Sequence, residues 1–364
     1  MSIISQFLSG VRVVDFSQYI PGPMASLMLS DMGADVIKIE PPSGDPMQTL
    51  GPTDRNGAPL FYETLNAGKS VLRLDLKDPA QRNRCIELTR DCDVVIEGFR
   101  PDVMQRLGLD YATLRELNEG LIYCSISGYG ATGPNAQRAG HDANYLAEAG
   151  VLDRNGNDRP IFFDPPIADL SGSLFAAMAI LGALNNRHRT GIGCQVDLAL
   201  ADVIMPLQLL QVADYSENKT IPKRGSTYLN GGAAYYNVYE TLDGEHIVVG
   251  AVEPKFWRAF SEAAECPKWI GRQGEPIPQH ELILDVAQRI AEFTLEDCLQ
   301  RFGHSDCCVS PVQSIGEAVQ ARQVQRRGLV KTDRHGKMQC LLPVLVDGQP
   351  PQERSPPKPY VSQE

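Results

Sequence analysis

The sequence predicts an α/β protein: a Rossmann-like large domain accompanied by a smaller α+β domain. Two observations carry this reading. Over roughly the first 190 residues, short apolar runs of strand length alternate with helix-period stretches, the pattern of a parallel sheet covered by helices. At 217–234 a Lys/Gly/Asn-rich connector interrupts that rhythm, and from Tyr235 strand-like alternation gives way to helical patterns that run to about Arg301. A length of 364 residues suits two domains, and a hydrophobic content of 43% is enough to build a core in each.

The elements follow in order. Val11–Asp15 reads as the first strand, and Pro21-Gly22-Pro23 as a break before a helix from Met24 to Met32 that Gly33 stops. Ala34–Glu40 is the next strand, closed by Pro41-Pro42, and Val71–Leu76 is a third. A helix from Pro79 to Arg90 leads to the strand Asp93–Glu97, and Leu121–Ile126 continues the alternation. Residues 171–186 are apolar nearly all round, which predicts a buried helix. A second long helix is expected from about Val196 to Ser216. The tail from Pro350 holds five prolines in fifteen residues and reads as an irregular arm. The resulting division is a large domain at 1–190, a linker helix and connector at 191–234, a small domain at 235–310, and a return segment with C-terminal arm at 311–364.

Composition narrows the function. A formal charge of −11 argues against nucleic acid or an anionic membrane as the main partner. No apolar run reaches spanning length and the N-terminus lacks a signal pattern, so a cytoplasmic protein is expected. Nine scattered cysteines, of which only Cys307 and Cys308 are close, suit reduced, buried thiols better than a disulfide framework. No His/Cys/carboxylate cluster has metal-ligand spacing. Asn66-Ala67-Gly68-Lys69-Ser70 looks like the end of a P-loop, but Glu63 stands where the motif needs glycine and a strand follows instead of a helix. No GxGxxG follows the first strand, which argues against a nicotinamide cofactor.

Two bends carry the candidate chemistry. Gly140-His141-Asp142-Ala143-Asn144-Tyr145 offers an imidazole, and Pro165-Pro166-Ile167-Ala168-Asp169 offers a carboxylate. A neutral His and a carboxyl group near one carbon could move a proton from one face of that carbon to the other. Each also has an ordinary structural use: His141 as a surface or capping residue, Asp169 as the N-cap of the apolar helix after it. That helix start could alternatively stabilise a carboxylate or a developing enolate. Glu253, just beyond a strand, could be merely solvated, or could orient an imidazole as a third group.

Longer stretches make the chain resemble the family III CoA-transferases, the carnitine dehydratase/racemase group. They run from Leu8-Ser9-Gly10-Val11-Arg12-Val13-Val14-Asp15 through Gly33-Ala34-Asp35-Val36-Ile37-Lys38-Ile39-Glu40 to Glu97-Gly98-Phe99-Arg100-Pro101. They continue through Arg189-Thr190-Gly191-Ile192-Gly193 and Gly231-Gly232-Ala233-Ala234-Tyr235-Tyr236 to Gly250-Ala251-Val252-Glu253-Pro254. The resemblance implies an interlocked homodimer acting on an acyl-CoA thioester, with CoA as part of the substrate and no separate cofactor. It implies that Asp169 is the acid/base of a racemase or the nucleophile of a transferase. The Gly140–Tyr145 motif resembles the racemase branch, which implies His141 as second base and Glu253 as its partner. The implied reaction is inversion of the α-carbon of a 2-methylacyl-CoA, as in fatty-acid metabolism; the alternative is CoA transfer between acids through an aspartyl-CoA intermediate. Implied CoA contacts are Leu74, Asp75, Leu76, Lys77, Arg100, Arg106, Gly140, Asp142, Ala143, Asn144 and Tyr145. Where many members of that family place an Arg after the strand acid and an Arg-Gly-Lys-Arg-Ser segment, this chain has Pro41 and Ala67-Gly68-Lys69-Ser70, which implies fewer or displaced phosphate contacts there.

Overall fold

The computed structural model describes residues 2–156, 158–333 and 336–361. Its first six strands are β1 (Arg12–Asp15), β2 (Asp35–Glu40), β3 (Ser70–Arg73), β4 (Val94–Glu97), β5 (Ile122–Ser127) and β6 (Cys194–Ala199). They lie in the order β3-β2-β1-β4-β5-β6, and each neighbouring pair is parallel. Val13 aligns with Val36 on one side and Val94 on the other. Val13, Val14, Val94, Val95, Ile96 and Ile122 are fully buried, as strands covered on both faces require. The chain order reverses between β1 and β4, and that crevice is where a doubly wound sheet places its ligand.

The connections of this sheet hold α1 (Pro21–Asp31), α2 (Leu60–Asn66), α3 (Pro79–Arg90), α4 (Val103–Leu107) and α5 (Tyr111–Leu117). Between β5 and β6 come α6 (Asp142–Glu148), α7 (Val151–Arg154) and α8 (Ile167–Thr190), and after β6 come α9 (Ile204–Leu207) and α10 (Leu209–Asn218). The chain divides into two compact units. One comprises Met1–Ala149, Phe163–Leu209 and Arg322–Glu364; the other comprises Gly150–Phe162 and Leu210–Ala321. In the second, β7 (Tyr236–Glu240), β8 (His246–Gly250) and, after the helices α11 (Pro254–Ala263), α12 (His280–Ile290) and α13 (Leu295–Phe302), β9 (Val309–Pro311) form an antiparallel sheet. Its core is aromatic: Trp257, Phe260 and Trp269 are buried and in ring contact, and Trp257 Nε1 donates to Trp269 O at 2.8 Å. The helix α14 (Ile315–Gln320) follows; α15 (Arg322–Arg327), the hairpin β10 (Val330–Thr332) and β11 (Met338–Cys340), and β12 (Lys358–Pro359) belong to the first unit.

Several elements differ from the sequence reading. Pro21-Gly22-Pro23 is not a break but the first turn of α1, where proline's missing N–H costs nothing. Strand β3 ends at Arg73 because β2 runs out at Glu40; Leu74 N still reaches Glu40 O at 2.8 Å, and Asp75 then accepts from Lys77 N to turn the chain. The helix expected over 196–216 is instead β6 followed by two short helices. Cys194–Ala199, alternating in burial as far as Leu198, pairs along the open side of β5, so sheet pairing overrides a helix-compatible composition. The Pro-rich tail contributes β12, parallel to β3 at its edge, where a proline needs no ladder donor. Tyr360 then packs against the large core. Of the nine cysteines, all unpaired, five are buried, but Cys308 and Cys340 are exposed.

Helix α8 is long and apolar enough to cross a membrane by length and composition alone. Its small residues Ala168, Gly172, Ala176 and Ala177 are buried, and it packs against α1 in the sheet unit. Leu174 and Met178 are 56% and 61% exposed, so the helix is not buried all round.

Beneath α1 lies a cluster of buried charge. Lys69 and Asp15 are both fully shielded and pair at 3.4 Å, and Lys69 Nζ also donates to Pro23 O at 2.8 Å and Asn66 Oδ1 at 3.0 Å. Lys38, equally buried, pairs with Asp45 at 2.8 Å and donates to Ser17 O at 2.7 Å. Desolvation pushes the Lys69 ammonium down to about 7, opposed by the Asp15 charge. Asp15 itself stays below the ordinary carboxylate range, because the two lysines and the hydroxyls of Ser17 and Ser26 outweigh its desolvation. The P-loop-like Gly68-Lys69 is therefore an internal strut. Lys69→Met should cost about 3–5 kcal/mol, since it strands a buried carboxylate. Urea unfolding checks this, and a loss under about 1 kcal/mol would contradict it.

Candidate active site

A cavity of about 390 Å³ opens at the carboxyl ends of β1, β4, β5 and β6, in the crevice where the chain order reverses. The β1–α1 connection supplies Ser17, Gln18, Tyr19, Pro21 and Gly22; the β4 exit supplies Gly98, Phe99 and Arg100. Beyond β5 come Ile126, Ser127 and Gly128, and beyond β6 comes Leu200. His141 and Asp169 line this same cavity, with Gly140, Arg138 and Tyr145 beside them.

Their placement rests on two helix starts. His141 is the N-cap residue of α6, in extended conformation, and its backbone N–H donates to Asn144 Oδ1 at 3.0 Å, which fixes the turn. Tyr145 donates its hydroxyl to Gly140 O at 2.6 Å, closing the loop from the other side. A side chain at position 140 would place its Cβ 2.7 Å from that ring, so Gly140 is required by packing.

Asp169 is not the N-cap of α8. It is the third residue of the helix, after Ile167 and Ala168, with Pro166 at the N-cap position. The cap is Asp142, whose Oδ1 accepts from Ala168 N at 2.6 Å and Asp169 N at 3.1 Å. The helix start thus holds a carboxylate, that of Asp142, whose charge also acts on Asp169. Desolvation first, and the nearby Asp142 charge second, push the Asp169 carboxyl up to about 7. A group so placed is populated as both acid and base at neutral pH. Burial and the Asp169 charge likewise push the Tyr145 phenol up to about 12.

The proposed CoA contacts divide into three groups. Arg100, Gly140 and Tyr145 line the cavity. Asp142, Ala143 and Asn144 form the first turn of α6, and two of them act through backbone contacts just described. Leu74, Asp75, Leu76, Lys77 and Arg106 do not line this cavity: Leu74 is a core residue, and Lys77 and Arg106 are exposed. Glu253 belongs to the second unit, exposed at the N-cap position of α11. The sequence reading overlooked Tyr19 and Arg138. The first βα connection of a doubly wound sheet was the available signal for Tyr19; Arg138, paired with Glu148 at 2.9 Å, had none.

Comparison with known proteins follows the same lines. The family model for CoA-transferase family III matches residues 8–364. The chain belongs to CoA-transferase family III. Within that family it is 33% identical to the alpha-methylacyl-CoA racemase of Homo sapiens over 331 residues, 88% of this chain and 81% of the relative. It is 32% identical to the succinyl-CoA:glutarate CoA-transferase of Mus musculus over 337 residues, 90% of this chain and 77% of the relative. The crystal structure of a CAIB/BAIF family protein from Brucella suis superposes with a TM-score of 0.84 at 28% identity, covering 96% of each chain. A one-point difference in identity does not separate isomerase from transferase within family III, so the discrimination falls to the site.

Proposed function

We propose that this family III enzyme is a racemase of 2-methylacyl-CoA thioesters, working by two-base proton transfer through an enolate. The observation that carries this reading is the placement, in one cavity, of an imidazole and a carboxyl group whose protonated form is favoured by burial and by the Asp142 charge. A nucleophilic carboxylate is served by remaining ionised; an acid/base is served by a value near the working pH. His141 takes the α-proton from one enantiomer, and protonated Asp169 returns one to the opposite face. The roles exchange in the reverse direction. The first turn of α1 lines the cavity at Pro21 and Gly22, and its positive end favours charge developing on the thioester oxygen. Arg100 and Arg138 at the rim suit the phosphates that CoA brings to an otherwise acidic protein.

The reading includes an interlocked homodimer. Glu253 of a second copy would then orient His141, and the exposed apolar face of α8 at Leu174 and Met178 would be covered. The CoA nucleotide would reach Leu74–Lys77 and Arg106.

Incubation with a 2-methylacyl-CoA in deuterated water should incorporate α-deuterium. With hydroxylamine present, no hydroxamate should form at Asp169, because proton transfer never makes that carboxylate an acyl carrier. A hydroxamate at Asp169 with no deuterium wash-in would establish the transferase instead.

A further inference from the structure

Tyr19 is the cavity residue with the most constrained backbone. Its φ is +64°, the left-handed region, which is strained for a residue with a Cβ. Such conformations persist where the surroundings impose them and cluster at functional sites. The surroundings here are specific. On one side of Tyr19, Ser17 is pinned by three bonds: its O accepts from buried Lys38 at 2.7 Å, its N donates to Asp15 Oδ1 at 2.9 Å, and its hydroxyl donates to the same oxygen. On the other side, Pro23 O accepts from buried Lys69 at 2.8 Å. The loop also closes on itself: a Cβ at Gly22 would lie 2.1 Å from the Ser17 Cβ. Only Gln18, Tyr19 and Ile20 bridge the two anchors before α1 begins. Buried ion pairs are costly to assemble, and this cluster touches the cavity only through the loop it holds.

At the crest of that loop, the Tyr19 ring meets the His141 ring edge-on, with centroids 6.4 Å apart and planes at 81°. Both residues line the cavity, and both are exposed. An imidazole exposed at a helix N-cap must still be held along one line to act as a base. We infer that Tyr19 is a positioning residue, a rigidly mounted aromatic stop that holds the His141 imidazole toward the α-carbon. This inference rests on the racemase reading for its chemistry, but the ring contact itself can be tested in the free protein.

The test compares Tyr19→Leu, Tyr19→Phe and Tyr19→Gly in the full chain. In NMR spectra of the free protein, Tyr19→Leu should increase rotational averaging of the His141 imidazole, and Tyr19→Phe should leave it as in wild type. In stereospecific deuterium exchange, Tyr19→Leu should slow abstraction by His141 about tenfold in kcat, within the hundredfold that a misplaced group can cost. KM and exchange from the Asp169 face should move less than about twofold, and Tyr19→Phe should restore the rate. Tyr19→Gly relieves the backbone, so it should unfold at a higher urea concentration yet share the exchange defect, which separates positioning from folding. Unchanged imidazole order in Tyr19→Leu, or failure of Tyr19→Phe to rescue, overturns the inference. A wild type that shows imidazole ordering but exchanges neither enantiomer would uphold the positioning role and remove the racemase reading instead.

Discussion

His141→Ala should lose α-proton exchange from one enantiomer far more than from the other. The expectation follows from geometry: two bases on opposite faces of one carbon each own one direction of abstraction. Deleting the imidazole leaves Asp169 able to exchange its own face. Racemisation needs both groups and should fall by about 10²–10⁴ in both directions, the usual contribution of a positioned acid or base. Glu253→Gln should show a weaker form of the same asymmetry, because it perturbs the imidazole without removing it. The measurement is deuterium wash-in followed separately for the R and S thioesters, with circular dichroism to confirm folding. Equal loss for both enantiomers, or no loss in either, would rule out the two-base assignment.

The parallel sheet was readable because its central strands are buried on both faces and so appear as short unbroken apolar runs; Val13-Val14 and Val94-Val95-Ile96 are examples. Helix α3 was bounded correctly at Pro79 and Arg90, since Asp78 caps it and proline opens it, both local signals. Strand β6 was misread for the opposite reason. Cys194–Ala199 and the residues after it suit either period, and only the unoccupied edge of β5 decides between them. The site shows the same division. His141 and Asp169 were legible as bends carrying reactive groups, but the burial that raises the Asp169 carboxyl, and the Asp142 charge that adds to it, arise only in the fold. The same applies to Tyr19: its αL backbone lies between Ser17 and Pro23, whose carbonyls accept from Lys38 and Lys69 only in the folded sheet.

Asp169→Asn should abolish turnover and, at the same time, stabilise the protein at alkaline pH. Both effects come from one property. The carboxyl group is desolvated in the cavity wall and faces Asp142, so its folded value stands at about 7 against an ordinary 3.8. The folded state therefore holds the proton more tightly than the unfolded chain does. The stability linked to that proton is fully present below about pH 4 and is lost as pH rises through about 7. At about 1.4 kcal/mol per pH unit, the interval corresponds to about 4 kcal/mol once the group is ionised. Asparagine keeps the shape of the neutral acid and cannot ionise. The variant should thus match wild type near pH 4 and exceed it increasingly toward pH 8, while α-proton exchange at the face served by Asp169 disappears. Urea unfolding at several pH values, beside deuterium wash-in on the same samples, reads both. Parallel stability profiles for the two proteins would show that Asp169 ionises normally in the fold, and the half-protonated acid on which the racemase reading depends would then be lost.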